Sequence, residues 1–189
     1  MVLASTASIL MIAFFWSSQA SVQDRGGAWL DAPEKWNPSA VSLNGETPEG
    51  PNSRCDSSLR APANASERSL TAAGWKLNVA AQSKRVNNRE IQIVQAFRRY
   101  DGMCRPLQFQ AFVFTNQSLI GALSPRLMNA REDGQLSTVR ITDSGEIVAT
   151  FLRYERTDAL CCPSRESTAV YSVVPDGKTF FWSGRYDYD

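Results

Sequence analysis

From Trp75 to the end of the chain one pattern recurs. Short β-rich segments, several alternating apolar and polar residues, are separated by clusters that turn the chain. Trp75-Lys76-Leu77-Asn78-Val79 alternates, Ile91–Phe97 is rich in β-branched residues, and Leu107–Phe114 begins as an alternation and ends as a continuous apolar run. Thr115-Asn116-Gln117 reads as a hairpin loop into Ser118–Leu123. Leu136–Thr142 alternates, and Asp143-Ser144-Gly145 turns it into Glu146–Tyr154. Ala169–Val174 and Lys178–Ser183 close the series across Pro175-Asp176-Gly177. About eight short, mostly hairpin-connected strands are expected, which makes the fold class α+β: a meandering, mostly antiparallel sheet with one short helix against it, or a small sandwich or open barrel. With one face of each strand buried, most of Phe109, Val113, Ile141, Val148, Phe151, Val170 and Val173 should lie in the core.

The helix belongs at Asn64–Gly74. Asn64 can cap it with Glu67 three residues on, and Gly74 can end it. The globular domain is therefore expected over 64–189. Residues 21–63 hold five of the nine prolines with Gly26-Gly27 and Asn44-Gly45, show no regular period, and read as a linker anchored by Cys55. Residues 1–20 read as a signal peptide: Ile9–Trp16 is an apolar run too short to span a bilayer, and Ser18-Gln19-Ala20 offers small residues for cleavage before Ser21. No later segment is apolar enough to span a bilayer. The expected location is exported: the periplasm, a thylakoid-lumen-like compartment or the extracellular space.

Cysteine usage agrees with export. Four cysteines, Cys55, Cys104, Cys161 and Cys162, point to disulfides in an exported chain. A bond between the neighbours Cys161 and Cys162 would constrain almost nothing, so Cys55 and Cys104 are each expected to bond one member of that pair. There is no histidine, which removes His-based triads, His general bases and His-ligated metals. Without histidine or a Cys-x-x-Cys spacing, a zinc site would need all four thiolates, two of them adjacent. Neither metal nor cofactor is expected. Lys+Arg 20 against Asp+Glu 19 leaves no charge excess to recruit nucleic acid.

Two blocks are more specific than their composition: Tyr100-Asp101-Gly102-Met103-Cys104-Arg105-Pro106-Leu107-Gln108, running on into Phe109–Phe114, and Thr157-Asp158-Ala159-Leu160-Cys161-Cys162-Pro163-Ser164-Arg165. With Ile120-Gly121-Ala122-Leu123-Ser124-Pro125 between them, they resemble bacterial envelope proteins of the LppP/LprE lipoprotein type, over roughly residues 70 to 185. The resemblance implies an exported, envelope-associated β-rich domain and no catalytic residue. The expected cleavage site has no cysteine, so a lipid anchor is not carried over from it.

Candidate sites are few. Arg98, Arg99 and Arg105 cluster around a turn and could grip a carboxylate or phosphate. Asp101-Gly102 reads as turn chemistry. Phe180, Trp182 and Tyr186 lie in the most aromatic window and are a candidate binding surface. Cys161-Cys162-Pro163-Ser164 lacks a histidine to activate a nucleophile. The acids Glu132, Asp133, Asp143, Glu146, Asp187 and Asp189 are dispersed, whereas glycosidase chemistry needs two carboxyls facing one another. The expected function is a non-catalytic envelope domain that binds a protein partner or scaffolds an assembly. A carrier of a lipid or glycan is the first alternative and a carboxylate-dependent hydrolase the second.

Overall fold

Four two-stranded hairpin units account for most of the architecture. The computed structural model describes residues 28–32, 36–40, 43, 54–159 and 161–188; the expected signal peptide lies outside them. Strands β1 (Gln82–Val86) and β2 (Arg89–Ala96) are joined by Asn87-Asn88, both at positive φ (48° and 61°). After a short ribbon of β3 (Arg99–Tyr100) and β4 (Pro106–Leu107) come β5 (Gln110–Thr115) and β6 (Ser118–Ala122). Asn116 and Gln117 join these last two at φ 46° and 69°. Two residues at positive φ make the turn whose twist matches the flanking strands, and asparagine tolerates that conformation. Strands β7 (Gln135–Ile141), β8 (Ile147–Arg153), β9 (Arg165–Val173) and β10 (Phe180–Tyr188) follow.

Pairing is antiparallel throughout. One four-stranded sheet has the order β1-β2-β5-β6 and the other β10-β9-β8-β7. The two sheets share a core: Ile91, Ile93, Ala111, Val113 and Ile120 from the first, and Ile147, Ala149, Phe151, Ala169 and Tyr171 from the second. Tyr171 is fully buried, and its hydroxyl donates to the Leu123 carbonyl 2.7 Å away, so the largest fully buried side chain keeps its hydrogen bond. Burial pushes its pKa well above the ordinary value. The two sheets bury this core together, and the strand orders close neither of them into a barrel.

Helix α1 (Ala65–Ala72) covers the outer face of the first sheet. Leu70, Trp75 and Leu77 pack there on Val94, Ala96, Phe112 and Phe114. All six residues of β5 are therefore buried, which is why its sequence abandons alternation. Asn64 caps the helix as expected, accepting from the Glu67 amide at 3.0 Å. Glu67 is itself buried, takes two hydrogen bonds from the Arg60 guanidinium (2.9 and 2.6 Å) and accepts from the Ala63 amide.

The described part of residues 28–43 is not detached from the domain. Leu30 is fully buried, and Trp29 and Trp36 pack on the shared core, with Trp29 edge-on to Trp36, Phe151 and Trp182. Residues 36–40 form a strap across two sheet edges. The Pro38 carbonyl accepts from the Ala122 amide on β6 (3.0 Å), while the Ser39 hydroxyl donates to the Phe180 carbonyl and accepts from its amide on β10. Gly121, at φ +149°, permits that approach: a Cβ there would overlap the Pro38 carbonyl and the Phe180 ring.

Several expectations are corrected. Ten strands form rather than eight. Trp75–Val79 contributes only the Lys76–Phe97 bridge, because Trp75 and Leu77 are drawn beneath α1. Of the expected core, Phe109, Val113 and Phe151 are buried; Ile141 and Val173 are half-buried against it. Val148 and Val170 face outward, because their neighbours Ile147, Ala149, Ala169 and Tyr171 take the inward positions. The disulfide pairing also differs: Cys55 bonds Cys104, and Cys161 bonds Cys162. Cys55 precedes a 3-10 turn (Asp56–Ser58) held against the β3–β4 turn, where Ser58 Oγ and Tyr100 Oη are 2.7 Å apart. The adjacent pair lies exposed on the β8–β9 loop.

Candidate functional site

The three arginines share a stretch of chain without forming one site. Arg98 is buried, its guanidinium 4.0 Å from the Trp75 ring centroid. It donates to the Ala73 carbonyl (3.0 Å) at the C-terminus of α1 and to the Leu43 carbonyl (3.3 Å). Burial lowers its pKa from the ordinary value. A cation at a helix C-terminus satisfies carbonyls that have no partner within the helix, so Arg98 welds α1 to its sheet. Arg105 donates from Nε to Asp101 Oδ2 at 2.6 Å. Asp101 Oδ1 also accepts from the amides of Met103 and Arg105, and these bonds hold the Asp101 carboxyl down to about 2. Asp101 thus shapes the turn that carries Cys104. Arg99 is half-buried on β3. With Arg98 and Arg105 committed to internal partners, the three guanidiniums do not converge on an anion.

The aromatic window divides between two faces. Phe180 is buried, and Trp182 packs half-buried on Tyr171 and Trp29, while Phe181 between them is exposed. A β-bulge between Trp182 and Gly184 then shifts the alternation. Arg185, opposite the inward Ala169, turns in to donate to the Leu30 carbonyl and pair with Asp31 at 3.7 Å. Tyr186, opposite Thr168, turns out and is 58% exposed. Phe180 and Trp182 therefore belong to the core, and Tyr186 to the surface on the other side of the strand.

That surface is the outer face of the second sheet. Val148, Thr150 and Leu152 on β8 and Thr168 and Val170 on β9 are half-buried and belong to neither core cluster. Thr150 and Thr168 sit in register with their hydroxyls 3.1 Å apart. Arg140 pairs with Val148 across the β7 side, and Val170 with Gly184 across the β10 side, where an added Cβ would meet nothing within 4 Å. The result is a strip of valine and threonine bordered by Tyr186 and Phe181. Sequence reasoning missed it because Ile147-Val148-Ala149 and Ala169-Val170-Tyr171 are apolar at every position, which leaves the inward set ambiguous.

The remaining concave features lie at the surface. A cleft of ≈ 110 Å³ opens beside Asn78, Gln95, Phe97, Phe109 and Gln135. A groove of ≈ 360 Å³ lies among the hairpin turns beside Val86, Arg89, Ser144 and Pro175. Both are surface features; the interior between the sheets is filled by the shared core, so the carrier alternative would need a surface groove rather than the interior. The hydrolase alternative finds no support among the described residues. Asp133 pairs with Arg153 (3.1 Å), Asp143 with Lys84, and Glu146 accepts from Ser144 on its hairpin. Every carboxyl shift resolved among the described residues is downward, at Glu67, Asp101, Asp143 and Asp158. Those residues contain no group of three or more acids and cysteines able to hold a metal, and no helix long and apolar enough to cross a membrane.

Comparison with known proteins gives one match. Residues 87–176 fit the family described as LppP/LprE lipoprotein, a span that runs from the β1–β2 turn to the β9–β10 turn. It contains both blocks on which the resemblance rests. No curated protein and no solved structure matches the chain.

Proposed function

With residues 87–176 belonging to the LppP/LprE lipoprotein family, we propose that this chain is a non-catalytic accessory domain of the cell envelope that docks a protein partner on the outer face of its second sheet. Family and disulfide together point to an exported envelope protein. The observation that carries the docking surface is the asymmetry of the two sheets. The first has its outer face covered by α1; on the second, Val148, Thr150, Thr168 and Val170 are half-buried outside both core clusters of the described residues, and Tyr186 is exposed.

The composition of the strip favours a protein over a small molecule. Its centre sets a valine row beside a threonine row and carries no charge, and an exposed tyrosine stands at its border, which is how the desolvated middle of a protein interface is built. A small ligand would want concavity instead.

The test is positional. A photo-crosslinking side chain replaces Val170, or Arg68 on the exposed side of α1, in the protein expressed in its own envelope. Crosslinking to one identified protein is expected from position 170 and not from position 68. The purified pair should then lose about tenfold in affinity with Val170→Glu, one anchor residue's worth. Equal crosslinking from both positions, none from either, or unchanged affinity of the Val170→Glu variant would overturn the proposal.

A further inference from the structure

The two disulfides have different relations to the fold. Cys55–Cys104 joins residues 49 apart in sequence, and Cys55 is 2% exposed. Cys161–Cys162 joins neighbours, spans no chain, and has both cysteines exposed on the β8–β9 loop. A cross-link stabilises by restricting the unfolded chain, and the restriction grows with the loop it closes. The second bond therefore adds almost nothing to stability.

Nor does the loop depend on it for its shape. Asp158 Oδ2 accepts from the amides of Glu155 (2.8 Å) and Ser164 (3.0 Å) and from the Ser164 hydroxyl (2.9 Å), binding the two flanks together. The Cys162 amide donates to the Ala159 carbonyl at 2.9 Å. None of these bonds runs through either sulfur. A disulfide that is exposed, joins adjacent residues and leaves the fold intact when broken is set up for exchange rather than structure.

We propose that Cys161–Cys162 is a thiol–disulfide exchange site, a two-electron acceptor for thiol reductants at the envelope. A thiolate attacks the sulfur of one cysteine, forming a mixed disulfide and releasing the other cysteine as a thiolate. A second thiolate attacks the reductant's sulfur in that mixed disulfide and releases the first cysteine. The reductant leaves as its own disulfide, and two protons end on Cys161 and Cys162. Either two small monothiols or one dithiol protein can supply the electrons. This site is separate from the outer-face strip, and its chemistry holds or fails whether or not that strip docks a partner.

The experiment uses the full chain purified without reductant. It is equilibrated with increasing dithiothreitol, alkylated and mapped by mass spectrometry, with circular dichroism recorded at each step. Cys161 and Cys162 should be alkylated at about tenfold less dithiothreitol than Cys55 and Cys104, with the β-sheet spectrum unchanged. Repeating the titration with cysteine separates the sources. A response as ready as that to dithiothreitol assigns small thiols; a response to dithiothreitol alone assigns a dithiol protein. Simultaneous alkylation of all four cysteines overturns the proposal. So does earlier opening of Cys55–Cys104, free Cys161 and Cys162 thiols in the untreated protein, or loss of the spectrum as the adjacent pair opens. Because Cys161→Ser/Cys162→Ser lacks the exchanging bond, it should fold like the parent and consume no reductant in the first step.

Discussion

Glu67 shows what a single buried charge does in this protein. Its carboxylate is buried at the first turn of α1, where an unpaired charge would be severely disfavoured, and it persists because Arg60 and the Ala63 amide surround it. The Arg60 hydrogen bonds hold its pKa below the usual carboxylate range. A folded-state pKa below the unfolded one stabilises fully above the unfolded value, roughly pH 4.3, and the contribution is lost as pH falls through the folded pKa. Urea unfolding between about pH 6 and pH 3 should show that loss in the parent, and Glu67→Gln should remove Glu67's share of the slope while lowering stability at neutral pH. An unchanged slope would mean that other carboxyls carry the acid sensitivity. At this scale much was legible from sequence: Asn64 with Glu67 three residues on announced the helix cap. The Arg60 partnership was not, because the linker reading covered Arg60 and nothing in the spacing tied it to Glu67.

Elements were legible in proportion to how one-sided their burial is. Three of the four main hairpin turns announce themselves by residue type, and β8 and β9 by their β-branched runs; the Asn87-Asn88 turn went unread with β1. Strand β1 was missed because it is an edge strand of Gln, Ser, Lys and Arg, largely exposed, with only Val86 packing on the core. The strap was missed for the opposite reason. Its Pro- and Ser-rich surroundings look like a linker, and the signal against that reading was the presence of Trp29 and Trp36, two side chains too apolar to leave in water. The strap's seat can be tested at Gly121. Gly121→Ala places a methyl group against the Pro38 carbonyl and the Phe180 ring in a backbone conformation that side chains rarely adopt. It should cost on the order of 2 kcal/mol in urea unfolding. Limited proteolysis should find residues 28–40 cut before either sheet; a neutral variant with the strap still protected would contradict the packing described.

For the whole molecule, the buried disulfide is the long-range restraint. Joining residues 49 apart, it should contribute about 4 kcal/mol in the chain-entropy picture. Cys55→Ser/Cys104→Ser should therefore shift the urea midpoint strongly, whereas Cys161→Ser/Cys162→Ser should leave it nearly in place. Equal shifts would refute this division of roles. The fold class was readable because strands and turns are local signals. Pairing of the cysteines was not, because it depends on which loops meet in space: the 3-10 turn after Cys55 meets the Asp101–Cys104 turn, and no spacing rule encodes that meeting.

The strap also governs how this protein bears mechanical load. Tension applied on the N-terminal side meets Trp29 and Leu30 on the shared core and then the strap of residues 36–40. There it meets the Pro38 contact with β6 and the Ser39 contact with β10 together. A pull is thus divided between the outer strands of two sheets instead of peeling one strand from one sheet. The aromatic packing of Trp29 against Phe151 and Trp182 sits upstream and is the first contact to be loaded.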